Sequence, residues 1–178
     1  MAVNGKRRAL MIAGGVAAAA GAAGLLLARA GNTGAALTVD TALARIDALA
    51  KGAIASSGTW NPHQIFTHCA QSIEYSMSGY PAPKPKLFQD TVGAAAFAVF
   101  STAGKMRHGL AEQIDGAPAL EARTDAVEAL GRLREAFLEF QRFDGPLAPH
   151  FAYGPLEKRQ YEAAHVMHFY NHLDEITS

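Results

Sequence analysis

Between Thr38 and Ile176 apolar residues recur three and four positions apart, and no stretch sustains an apolar–polar alternation. Spacings of three and four gather side chains on one face of a helix, whereas a half-buried strand needs a period of two. The pattern predicts helices and no sheet. The first helix starts at Thr38, carries Val39, Leu43, Ile46 and Ala50 on one face, and stops at Gly52. The second opens at 60-WNPHQ-64, where Asn61 suits the N-cap, Pro62 the first helical position, and Gln64 can reach back to the cap. It should run through Ile65, His68, Ser72 and Tyr75 to Met77, ahead of Gly79 and the alternating prolines of 80-YPAPKPK-86.

Helical spacing returns over 87–104, where Leu87 and Phe88 join the phenylalanines of 97-FAVF-100, which are expected in the core. After a loop at 108–120, a long helix from Glu121 to Phe143 carries the seam Val127, Leu130, Leu133, Phe137 and Phe140. The loop 144-DGPLAPHFAYGP-155 leads to a last helix from Leu156 to Ile176. Four long helices and a shorter one predict an all-α bundle, in which facing helices can build a site in the core.

Residues 1–30 have another build. Lys6, Arg7 and Arg8 precede an uncharged apolar run from Ala9 to Ala28, and Ala28-Arg29-Ala30 offers a small-x-small cleavage pattern. That is the design of a secretory leader, and the paired arginines before a Gly/Ala-rich run are similar to a twin-arginine signal. An uncleaved anchor is the competing reading, because the run has about the 20 residues of a minimal span. The expected organisation is thus a signal peptide or membrane anchor at 1–30, a spacer at 31–37 and the bundle at 38–178, exported to the periplasm or held on its side of the membrane. Contact with the membrane is expected only if the leader stays uncleaved.

The leader changes the charge balance. It holds four of the 16 basic residues and none of the 16 acidic ones, so twelve basic residues remain against 16 acidic, a net of −4. No basic stripe survives to neutralise phosphates, which argues against a nucleic-acid partner. The lone Cys69 cannot form an internal disulfide, so the fold must rest on its apolar core.

Three of the chain's seven histidines fall in 163-AAHVMHFYNHL-173. His165, His168 and His172 share a stripe of the last helix that Tyr161 and Ile176 extend, and residues four apart, such as His168 and His172, can reach one cation. His68, in phase with Ser72 and Tyr75 on the second helix, is the leading third ligand. Three neutral imidazoles suit zinc, nickel, copper or iron and leave coordination positions for water or substrate. The competing reading is that such histidines are ordinary partly buried residues.

The stretches 60-WNPHQIFTHCAQSIEYSMSGYP-81, 150-HFAYGPL-156 and 168-HFYNHL-173, in this order, resemble the DinB/YfiT-like superfamily, and more closely a domain-of-unknown-function branch of it. The resemblance covers nearly all of 38–176. It implies a four-helix bundle whose divalent metal, zinc or nickel, is held by three histidines, and those positions fall on His68, His168 and His172. Thiol-dependent transferases and hydrolases occur among such relatives. The implied function is a metal-dependent enzyme that activates water or a thiol for hydrolysis or group transfer on a small-molecule substrate. The alternative is a non-catalytic bundle of the envelope that holds metal or a small ligand. A homodimer is compatible with either.

His165, Tyr75, His150 and Asn171 are candidates for supporting the ligands from behind. Asn171 and Gln71 could orient water, His150 could line the mouth or cap its loop, and Tyr75 could offer a phenol or simply pack. His63 is expected to be solvated, Glu74 to face solvent, and Cys69 to be a small buried thiol; nothing marks out His108. Phe169 follows His168 where the HExxH proteases have their glutamate base, which argues against proteolysis by that mechanism. No GxSxG, phosphate-loop or CxxCH motif is present.

Overall fold

Asn61 caps the central helix as its neighbours predict: its side chain accepts from the Gln64 N–H at 2.9 Å, and Gln64 Oε1 accepts from the Asn61 N–H at 3.1 Å. The structure, a computed structural model, describes residues 36–177. The leader, its cleavage site and the start of the spacer lie outside the described residues. In chain order come α1 (Val39–Leu49), β1 (Ala55–Ser56), α2 (Pro62–Ser78), a helix α3 built of Lys86–Phe88, the π-helical Gln89–Gly93 and Ala94–Ala103, then α4 (Ala126–Arg142), α5 (Lys158–His172), a 3-10 turn (Leu173–Glu175) and β2 (Ile176–Thr177). The described part is all-α apart from one minimal ladder.

Helices α1 and α2 both pack on α4 and α5, with α2 and α4 sharing the most extensive contact. Phe66, Ile65 and Ile73 of α2, Leu130, Leu133, Phe137 and Phe140 of α4, and Tyr161 and Phe169 of α5 are all but fully buried between them. Burial of side chains of this size, worth about 1.5–3 kcal/mol each, holds the bundle together. No helix among the described residues is long and apolar enough to cross a membrane.

Four expectations are corrected. The buried stripe of α1 is Val39, Ala42, Ile46 and Leu49, with Ala50 exposed beyond the last turn. Val127 is 66 % exposed, because α4 begins at the Asp125 cap and its first turn overhangs the core. On α3 only Phe97 is buried as a large apolar residue, while Leu87, Phe88, Val92 and Val99 are exposed and Phe100 is half-buried. Periodicity reports a helix, but not whether a neighbour covers its apolar face. Finally, β1 and β2 pair antiparallel through Ala55 with Thr177 and Ser56 with Ile176. Strands of two residues are too short to show an alternation.

The π turn of α3 anchors the loop that follows α4. Gln89 and Gly93 are its buried members; Gln89 Nε2 donates to Lys84 O at 3.0 Å and Phe151 O at 3.3 Å. A Cβ at Gly93 would overlap the Ala152 carbonyl, so only glycine allows this approach. Gly93→Ala is therefore expected to push the 150–154 turn outward and to cost about 1–3 kcal/mol, the usual range for overpacking. A fall in the urea midpoint at unchanged slope would register it; an unchanged midpoint would mean that the turn yields freely.

Candidate metal centre

α2 brings His68 into the core, and α5 brings His168 and His172, one turn apart, against it. His68 and His172 are buried and His168 is half-buried. The Nε2 atom of His168 lies 3.1 Å from Nε2 of His68 and 3.2 Å from Nε2 of His172. Each residue contributes one nitrogen to a group whose members lie within 4.8 Å of one another. Two nitrogens on a tetrahedral zinc, each about 2.0–2.1 Å from it, stand roughly 3.3 Å apart, so these separations are those of ligands to one ion.

Proton bookkeeping favours that reading over a hydrogen-bonded cluster. A ring nitrogen carries either one proton or one in-plane lone pair. His168 Nε2 therefore has one proton or one lone pair to share between two neighbours, and at most one of the two contacts can be a well-directed hydrogen bond. Protonation offers no relief. Burial, then the neighbouring imidazoles, lowers the pKa of His68 to about 4, that of His172 to about 2, and that of His168 well below the ordinary value. All three are thus held neutral, the form that binds metal. A cation among the three Nε2 atoms would satisfy every lone pair at once.

With the Nε2 lone pairs given to a cation, Nδ1 of His68 and of His172 would carry the protons, and both are buried without a partner among the described residues. Their orientation is set by packing instead. Trp60 stacks on His172 at 6.0 Å and 11°, and tilts against His68 at 5.0 Å. The indole thus braces one histidine of the trio from each helix.

A cavity of about 530 Å³ opens on this group, with His68, Ser72, His108, His150, His165 and His168 among its lining residues. His165 is buried and 3.1 Å from Ser76 Oγ. Because Ser76 Oγ–H donates to the Ile73 carbonyl at 2.6 Å, its oxygen accepts from His165 Nε2–H, leaving the Nδ1 lone pair free of that bond. His165 thus stands on the cavity wall rather than in the trio. His150 Nδ1 accepts from the backbone N–H groups of Ala152 and Tyr153 at 3.1 and 3.2 Å, which places its proton on Nε2. It caps its loop and lines the cavity, joining the two roles that the sequence left open.

The remaining candidates are redistributed. Tyr75 packs against Tyr80 at 5.9 Å and, with Gln71 and His63, lines a second cavity of about 340 Å³, whose lining includes none of the trio. Asn171 does not face water at the centre; its Oδ1 accepts the backbone N–H of His108 at 3.1 Å. His63, expected in solvent, is buried, its Nδ1 3.1 Å from the Glu121 carbonyl, because the loop before α4 folds over the start of α2. Glu74 forms a two-pronged ion pair with Arg132 on the surface. Cys69 is buried, and burial pushes its thiol pKa up, as an unreactive core thiol requires.

The residue that sequence reasoning missed is His108. Its ring centroid is 4.9 Å from that of His168 and 5.1 Å from that of His172. It lies in an irregular loop, where no periodicity could assign it a direction. The one available signal was Asn171, a polar residue between two ligands on a buried helix.

Fold and centre together define a helical bundle with a buried three-histidine group able to hold a metal ion. The chain belongs to the family described as protein of unknown function DUF1569, which matches over residues 36–178. No curated protein and no solved structure matches the chain.

Proposed function

We propose that this protein is an exported, metal-dependent enzyme of the DinB/YfiT-like type, in which His68, His168 and His172 hold one divalent ion, zinc or nickel, at the floor of the larger cavity. The observation that carries the reading is the position of His168 Nε2, 3.1 and 3.2 Å from the Nε2 atoms of two buried histidines, with a single proton or lone pair to serve both. A divalent ion bound there supplies Lewis acidity, which makes a water or thiol nucleophilic near neutral pH. The chain's own groups would place the substrate. His150, with its proton on Nε2, offers a donor at the wall, and His165 offers an Nδ1 lone pair. Phe151 and Tyr153 add apolar surface to the same cavity. A small molecule with an apolar body and one polar group that both accepts and donates matches this lining. Export rests on the composition of residues 1–30, and N-terminal sequencing of the secreted product tests it.

One observation favours the alternative, a bundle that binds metal or a small ligand without turnover. The position after His168 is Phe169, fully buried in the core, so the α5 pair brings no carboxylate base with it. A screen of ester, amide and thiol-transfer substrates on the zinc- and nickel-loaded protein separates the two. Turnover that disappears on chelation and returns with the ion is the expected result. Stoichiometric metal without turnover on any of the three classes would favour the binder.

A further inference from the structure

His108 is placed with a directed, unsatisfied lone pair beside the trio. Its Nδ1 lies 2.9 Å from the Gly109 carbonyl, which can only accept, so Nδ1 carries the proton and Nε2 the lone pair. That Nε2 is buried without a partner among the described residues. A buried acceptor left unmade costs about 1–3 kcal/mol, so this arrangement calls for something that the lone pair can bind. Its other features are those of a metal-ligating histidine, in which the second ring nitrogen donates to a backbone carbonyl and so fixes the tautomer.

The loop is tied to the centre as well. Asn171, buried on α5 between His168 and His172, accepts the backbone N–H of His108 at 3.1 Å. The ring stands 4.9 and 5.1 Å from those of the two α5 histidines, close to the trio's own 4.9, 5.0 and 4.9 Å. His108 lines the cavity, so it approaches the centre from the side that substrate must use. It falls outside the group whose nitrogens lie mutually within 4.8 Å, so to share an ion with the three helix-borne histidines the loop must carry its ring inward.

We infer that His108 is a fourth, loop-borne ligand that closes the centre from the cavity side through Nε2, with Asn171 as its positioning residue. The inference rests on the metal reading proposed above. It adds that the resting centre is filled by four imidazoles, and that a substrate gains its place by displacing the one ligand that no helix holds.

X-ray absorption of the zinc-loaded full-length protein counts the imidazoles directly. Four nitrogen ligands with four-ring scattering are expected in the wild type, and three with one oxygen in His108→Ala. Zinc affinity, measured by competition with a chromogenic chelator, should fall about 100-fold in His108→Ala and about 10–100-fold in Asn171→Ala, the range for groups that orient ligands. Asn171→Asp, which keeps the acceptor for the His108 N–H, should restore most of that loss. Three imidazoles in the wild type, or equal affinity in wild type and His108→Ala, overturn the inference and leave the three-histidine centre standing. Absence of stoichiometric zinc overturns both. The wild-type ligand count is decisive even if a variant fails to fold.

Discussion

Replacing His168 by alanine is expected to abolish stoichiometric metal binding and, with it, any chelator-sensitive turnover. His168 stands between the other two ligands, so its loss leaves His68 and His172 without the nitrogen that bridges them. Groups that merely orient ligands cost 10–100-fold in affinity when removed; a lost ligand should cost more than about 100-fold. The same substitution should act differently on the two forms of the protein. In the metal-free form it removes an imidazole whose Nε2 shares a single proton or lone pair between two others, so stability should change little. In the metal-loaded form the wild type gains stability from every bound ion, by about 2.7 kcal/mol when free metal exceeds the dissociation constant 100-fold, and the variant does not. Metal content by elemental analysis, with thermal midpoints taken with and without zinc, reads both effects. A variant that keeps a full complement of metal would remove His168 from the centre.

Acidification of the metal-free protein should unfold it within a few pH units below 6.5. His150 and His165 lie outside the trio and are buried, and burial lowers the pKa of each to about 3. Both are neutral when folded and titrate near 6.5 when unfolded. Above 6.5 neither state binds the proton and the contribution to stability is complete. Below 6.5 the unfolded chain takes up protons that the fold refuses, and stability falls until the folded pKa is reached near 3. Each histidine removes up to about 1.4 kcal/mol per pH unit in that window, so the pair removes roughly 3 kcal/mol per unit. His68 and His172, lowered to about 4 and about 2, steepen the loss. A fold worth about 5–15 kcal/mol does not survive the whole window. Helical circular dichroism against pH should show a cooperative loss between pH 6.5 and 3. In His165→Gln, which keeps an N–H donor for Ser76, that loss should be shallower and lie at lower pH. A wild-type signal unchanged down to pH 3, or coincident curves for the two proteins, would show that these rings already titrate in the fold.

Much of the bundle was legible in the chain. The caps of α2, the stop at Gly79, and the seam Leu130, Leu133, Phe137 and Phe140 are local devices that read the same in sequence and structure. Two of the three histidines of the candidate centre were legible for the same reason. His168 and His172 are one helical turn apart, so helix geometry alone brings them together. His68 could be placed in phase with buried residues of α2, but phase does not say which helix that face meets. The resemblance to a three-histidine family supplied that pairing in the sequence reading, and the packing of α2 on α5 supplies it in the structure.

The sequence by itself determined that the chain forms helices, the caps of α2 and the apolar seam of α4 from Leu130 to Phe140, because each follows from contacts within a few residues. It also determined that the metal candidates are imidazoles and that no glutamate follows His168. Only the tertiary structure decided which polar residues meet. His108 came to the centre from an irregular loop, Asn171 turned to hold that loop, Tyr75 left for another cavity, and Leu87, Phe88, Val92 and Val99 of α3 stayed exposed. These outcomes depend on residues tens of positions apart, through backbone hydrogen bonds and excluded volume such as the Gly93–Ala152 approach. No local period encodes a distance between elements, so a loop residue has no direction until the elements around it are packed.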